Sequence, residues 1–149
     1  MKIEVQVKGL VEILKRMAAF PAQLDAVMAK TLEAVLLTVH ENVLPYPPEP
    51  PNSTYTRTGT LGRSLGAGGT MPDIYEVRPM GAGSMARFGT RLEYAPYVIG
   101  DRDSEQAWMH KDRWWTLPDI AKRAEDKIKR LWNIAAEQME RFISGGGVR

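Results

Sequence analysis

Ile3, Val5 and Val7 alternate with Lys2, Glu4, Gln6 and Lys8. A period of two belongs to a strand with one buried face. Gly9 ends it, and Leu10, Ile13, Leu14 and Met17 then recur at helical spacing until Pro21 stops or restarts the helix. A second helix is predicted from about Pro21 to Val43, since proline is tolerated in a first turn whose N–H groups lack helical partners. Leu24, Val27, Met28, Thr31, Val35 and Val39 form one stripe on it, and Leu32, Leu36 and Val43 widen that stripe. A helix this apolar is covered on two sides, either as a central core helix or as a helix between subunits.

The stretch LPYPPEPPNSTYTRTGT follows. Its prolines at 45, 47, 48, 50 and 51 exclude regular helix and central strand and favour a stiff, extended arm over residues 44–57. A loop this long is either a surface loop or an arm that orders against a partner. Thr58 to Leu65 suits one short helix capped by Thr58 or Thr60. Ile74 to Met80 reads as a strand, GAGS as a turn and Met85 to Thr90 as the returning strand of a hairpin. Tyr94 to Ile99 reads as a further strand or a short helix, with Pro96 limiting either.

The last element is the clearest. Thr116-Leu-Pro-Asp119 fits the acidic form of the capping box. Ile120, Ala124, Ile128, Leu131, Ala135, Met139 and Phe142 follow at helical spacing, supported by the acid-before-base pairs Glu125–Lys129, Asp126–Arg130 and Glu137–Arg141. The glycines after Ser144 end the helix and leave a flexible tail over 144–149. Strands cluster mid-chain and helices flank them. The predicted fold class is therefore α+β, a single domain over 1–149 with long helices packed on one face of a small, mostly antiparallel sheet.

Composition narrows the function. With 149 residues the chain suits one domain with a proper core. Net charge is +2 and no basic run occurs, which disfavours a dedicated nucleic-acid binder. The absence of cysteine removes disulfides, thiolate metal sites and cysteine nucleophiles. The alternating, charged N-terminus is not a signal peptide, and no apolar run approaches a membrane span, so a soluble cytoplasmic product is expected.

The residues give little support to catalysis. His40 lies in the apolar helix and reads as structural; neither it nor His110 has a second histidine at metal-ligand spacing. His110 with Ser64, Ser84 or Ser104 lacks a nucleophile elbow. GTLGRSLGAGG lacks the GK[ST] of a P-loop, and Gly81 to Ala86 leads into no amphipathic helix, so a hairpin turn is favoured there. Asp73 and Glu76 faintly resemble a nuclease acid pair, but on one strand at that spacing they point to opposite faces. Asp101 and Asp103 suit a solvated turn better than a cation site. No catalytic residue, metal ligand or cofactor is assigned.

What stands out instead is YAPYVIGDRDSEQAWMHKDRWWT, from Tyr94 to Thr116. Tyr94, Tyr97, Trp108, Trp114, Trp115, Arg102, Arg113 and Met109 are side chains of the types enriched at the centres of protein interfaces. One of the adjacent pair Trp114 and Trp115 is expected in the core, not both, because neighbouring residues diverge in direction.

Two boxes carry a resemblance. Arg57-Thr-Gly-Thr-Leu-Gly-Arg-Ser-Leu65 resembles the RTGxLrrSi box of small tail-completion, or head–tail joining, proteins of long-tailed bacteriophages. Gly89-Thr90 before Tyr94-Ala-Pro-Tyr-Val98 is similar to the GTxxxYAxxvE box of the same family, and Trp108 to Leu117 to a variant among phage and prophage members. The order of helices, boxes and final helix covers nearly the whole chain. Ile99-Gly100-Asp101 departs from the glutamate and glycine that many members carry, and the proline insert is longer.

The resemblance implies a non-enzymatic virion protein, assembled in the host cytoplasm, that forms a ring at the head–tail junction. Hexamers are favoured and dodecamers allowed. The partners implied are further copies of itself, the head connector or adaptor, and the tail tube or terminator. The expected interface comprises Tyr46 and Tyr55 of the arm, Arg57, Arg63, Tyr94, Tyr97, Arg102, Trp108, Met109, Arg113 and Trp114, with the helix 21–43 as a further candidate face. Arg57, Arg63 and Arg87 either contact DNA in the lumen or form surface salt bridges. A tail-terminator ring is the alternative within this class; a metal-dependent nuclease using Asp73 and Glu76, or a DNA-binding module, is the alternative outside it.

Overall fold

The computed structural model describes residues 2–6, 21–45, 47–49, 51–54, 57–80, 83–100 and 106–143. The helix expected over 10–17, the tail 144–149, and Tyr46, Tyr55, Arg102, Asp101 and Asp103 lie outside the described residues.

Strand β1 (Lys2–Gln6) precedes a long helix α1 (Pro21–Glu41). A short helix α2 (Thr60–Ser64) and one 3-10 turn lead to the hairpin β2 (Ile74–Met80) and β3 (Gly83–Gly89). A second short helix α3 (Ala95–Ile99) and the long α4 (Leu117–Ile143) complete the described chain. The strands form one antiparallel sheet in the order β1-β3-β2. The returning strand begins at Gly83 rather than Met85, with Met80 facing Gly83.

Cross-strand register assigns the two faces of the hairpin. Tyr75 faces Phe88 and Val77 faces Ala86, and these four pack on the core. Glu76 faces Arg87 on the other side, where its carboxylate meets Arg87 Nη1 at 3.2 Å and Arg78 Nη2 at 2.6 Å. One apolar and one charged face is the arrangement of an antiparallel sheet covered on one side. The helices supply that cover, which makes the fold α+β with helices on one face of a small antiparallel sheet.

Helix α1 is the central beam. Leu32, Leu36 and Val39 join Phe88, Leu61, Leu65, Ile99, Ile120 and Ala124 in the main core. Its first half, through Leu24, Val27 and Met28, packs on Ala135 and Met139 of α4. The two long helices therefore run antiparallel, and Lys127 of α4 reaches Glu41 at the end of α1 (2.7 Å). The stripe read as a candidate intersubunit face is thus consumed within the chain, leaving Leu37 as its exposed large hydrophobic residue among those described. Buried hydroxyls on α1 are satisfied locally: Thr31 donates to the Val27 carbonyl (2.7 Å) and Thr38 to that of Ala34 (2.8 Å).

Helix α4 begins as the capping box requires. The backbone N–H and hydroxyl of Thr116 both donate to Asp119 Oδ2 at 2.8 Å. Glu125 and Lys129 pair at 2.6 Å, whereas Arg130 Nε turns to the Asp126 carbonyl oxygen (3.3 Å). The cap of α2 differs from expectation. Gly59, not a threonine, occupies the N-cap with φ 73°, a left-handed conformation that glycine adopts without strain, while the Thr58 hydroxyl just before it accepts the Thr60 N–H at 3.4 Å.

His40 is structural. Its Nε2 lies 2.9 Å from the Gly66 carbonyl oxygen, so the ring donates there, and it packs edge-on against Tyr75. Gly66 has φ +85°, and a Cβ at that position would stand 2.3 Å from His40 Nε2. The turn after α2 thus needs glycine for both its backbone and its space.

Candidate functional site

The two sequence boxes meet in space. Leu61 and Leu65 of the first box enter the core beside Ala95 and Ile99 of the second. A buried hydrogen bond joins Ser64 Oγ to Thr90 Oγ1 at 2.7 Å. Thr90 also donates to Asp73 Oδ2 (3.2 Å) and accepts from the Leu92 N–H (3.1 Å), while Asp73 accepts the Arg91 N–H (3.1 Å). Asp73 is therefore occupied as a turn-forming acceptor and Glu76 as the partner of two arginines, on different sides of the hairpin. Among the described residues no group of three His, Asp or Glu side chains is placed to hold a metal ion.

The aromatic segment is tied to the second box. Gln106 Nε2 donates to the carbonyl oxygens of Val98 (2.7 Å) and Trp114 (3.0 Å), and the Ala107 N–H donates to that of Tyr97 (2.8 Å). Successive turns, in which the His110 N–H reaches Ala107 and the Trp114 N–H reaches His110, fold residues 107–114 into a compact knob. Asp112 takes a left-handed conformation (φ 60°) within it. That local hydrogen bonding explains why the segment shows neither helical nor strand period.

Between this knob and the first box lies a cleft of about 490 Å³. Arg57, Tyr94, Tyr97, Met109, Arg113 and Trp114, six of the residues expected at an interface, line it together. Arg57 is held over the Trp114 ring, 5.5 Å from its centroid, in a cation–π contact. Its Nη1 donates to the Pro47 carbonyl oxygen and its backbone N–H to Glu49 Oε1, so the same residue anchors the proline arm. Arg63 points elsewhere, donating to the Thr58 carbonyl oxygen (2.8 Å).

The rim is strongly apolar for a surface. Among the cleft-lining residues Tyr97 is 65% exposed, Met109 50% and Tyr94 45%, and Trp108, the chain neighbour of Met109, is 83% exposed. Trp114 and Trp115 behave differently from the expected division into one core and one surface ring. Both are half-buried against the main core and meet edge-to-face at 6.3 Å.

His110 was not among the expected interface residues, yet it lines the cleft. Burial, then the nearby charges of Arg57 and Arg113, hold its imidazole below the ordinary histidine pKa. Thr58, Gly59 and Thr60, also unassigned, contribute the facing wall. Only the location of Gly59 between two cleft-lining threonines of a box gave a sign of this. No described helix is long and apolar enough to cross a membrane. Comparison of the chain with protein-family models, curated proteins and solved structures finds no match.

Proposed function

We propose that this chain is a structural protein of a long-tailed bacteriophage that closes a ring at the head–tail junction, acting by assembly and not by catalysis. The observation that carries this reading is the exposure of Tyr97, Met109 and Tyr94 around one cleft, with the exposed Trp108 next to Met109 in the chain. Side chains of these types cost solubility in a free monomer and gain most when a partner covers them. The two boxes and the aromatic segment, on which the resemblance to tail-completion proteins rests, converge on that same surface.

A ring needs one heterologous contact repeated until it closes, each contact removing roughly 1,600 Å² from water. The rim would supply one half of such a contact. Helix α1 contributes little, because its apolar stripe is already buried against α4 and the sheet. Electron microscopy and light scattering of the purified chain, alone and with tail tubes, test the reading. Rings in solution or at tube ends are expected. A chain that stays monomeric in both conditions contradicts it.

A further inference from the structure

The described cleft lining concentrates positive charge that is sparse in the chain as a whole, whose net charge is +2. Twenty basic residues nearly balance eighteen acidic ones overall. Yet the described cleft lining holds Arg57, His110 and Arg113 and no carboxylate. The rest of its wall is aromatic and apolar, chiefly Tyr94, Tyr97 and Trp114. The guanidinium of Arg57 is fixed over Trp114 rather than swinging on a free stem, so its charge is preorganised. A cleft of about 490 Å³ has the size of a ligand site and accepts a few side chains of a peptide.

We propose that this cleft is a docking socket for a short segment of another protein chain that presents a carboxylate beside an aromatic or leucine-sized side chain. The carboxylate meets Arg113 and Arg57, and the apolar side chain lies between Tyr97, Tyr94 and Trp114. Charge-assisted hydrogen bonds to arginine are stronger than neutral ones, and aromatic pockets bordered by arginine are typical binding hot spots. The socket deepens the assembly reading and rests on it for the identity of the segment's owner, a neighbour in the particle.

A single-stranded nucleic acid is the less suitable occupant. Such a ligand is tracked by a row of cations along an extended groove. Here the described lining holds two arginines, Arg57 and Arg113, in a cleft otherwise aromatic and apolar, not a row along a groove.

The test uses the full isolated chain, so ring formation is not required for it. A random heptapeptide display library is selected on the chain, and the consensus peptide is titrated by two-dimensional NMR. Enriched peptides are expected to carry Asp or Glu close to Phe, Trp, Tyr or Leu, and to shift the resonances of Gly59, Thr60 and His110. Affinity should fall about tenfold on Arg113→Ala and by a similar factor when the peptide carboxylate becomes an amide. Tyr97→Ala, also at an exposed position, should weaken binding while circular dichroism stays unchanged. Three results would overturn the proposal: no acidic motif among the selected peptides, unaltered binding to Arg113→Ala, or displacement of the peptide by a twelve-residue oligothymidylate. Rings without peptide binding would refute the socket alone; peptide binding without rings would refute the assembly reading and leave the socket standing.

Discussion

Ser64 Oγ and Thr90 Oγ1 lie 2.7 Å apart in the interior, joining two sequence boxes 26 residues apart. The contact is one arm of a small network. Thr90 serves Ser64, Asp73 and the Leu92 N–H, whereas Ser64 has a second acceptor in the Leu61 carbonyl oxygen (2.7 Å). The two hydroxyls are therefore unequal. Thr90→Val removes the acceptor of the Leu92 N–H and should cost about 1–3 kcal/mol, against about 0.5–1.5 kcal/mol for Ser64→Ala. Urea unfolding midpoints of both variants check the order; equal losses would mean that the network does not centre on Thr90.

The turn after α2 makes a second prediction. Gly66→Ala places a methyl group against His40 Nε2 and forces a left-handed conformation on a residue with a Cβ. Left-handed strain alone costs on the order of 1 kcal/mol, and the displaced His40 leaves its hydrogen bond to the turn. Thermal unfolding should show a clear loss for Gly66→Ala, with part of it recovered in the double variant Gly66→Ala, His40→Ala. No recovery would locate the whole cost in the backbone.

At the start of α4, Thr116→Ala should cost about 0.5–2 kcal/mol, the usual range for an N-cap. The pH dependence follows from Asp119. The backbone N–H and then the hydroxyl of Thr116 hold its carboxyl below the ordinary value of 3.8. The folded carboxylate is therefore favoured over the unfolded one. Its contribution is complete above the unfolded pKa and is lost as pH falls through the folded one. Asp119→Asn should flatten the acid limb of a stability–pH curve below about pH 4. An unchanged limb would show that the box forms no charge-dependent contact.

His110 carries the opposite group type but the same sense of dependence. Burial, Arg57 and Arg113 lower its pKa, so the unfolded chain takes up the proton first as pH falls. Stability contributed by the neutral ring is present above the ordinary value of 6.5 and declines below it, toward the folded pKa. The imidazole is largely solvated, so the effect is small. His110→Gln should reduce the slope between about pH 5 and 6.5 in chemical unfolding series. An identical slope would place the titrating group elsewhere.

Much of the fold was legible because local chemistry and global packing agree. The capping box at Thr116 and Asp119, the apolar stripe of α1 and the alternation of Ile74 to Met80 each mark an element that the structure contains. What escaped were features decided by tertiary contact or by glycine. Gly59, not a threonine, caps α2, because its left-handed backbone turns the chain where a side-chain cap was expected. The apolar face of α1, by contrast, was read as covered on two sides, and α4 and the sheet cover it as a central core helix. Trp114 and Trp115 both pack at the core edge, where the divergence of neighbouring side chains predicted only one. The cleft was legible as a set of residue types, since arginine, tyrosine, tryptophan and methionine gather in two segments. The parts played by His110 and the threonine wall were not, because the fold of residues 107–114 brings in the one and the residues leading into α2 the other.

Trp108→Ala separates surface from core. At 83% exposure the ring adds little to the fold, and the substitution should move stability by no more than about 0.5 kcal/mol. If Trp108 is a central interface residue, assembly should weaken by at least about tenfold in concentration. Sedimentation velocity on wild type and variant, with circular dichroism as the control, reads both quantities. Loss of helical signal in the variant would mean that Trp108 supports the monomer.

The most direct measurement is hydroxyl-radical footprinting of Trp108 and Tyr97 in the free chain and in the chain mixed with tail tubes and head connectors. The account predicts rapid oxidation of both rings in the free chain and strong protection once the particle forms. Equal oxidation of Trp108 and Tyr97 before and after assembly would contradict it, because those rings would then have no neighbour to cover them.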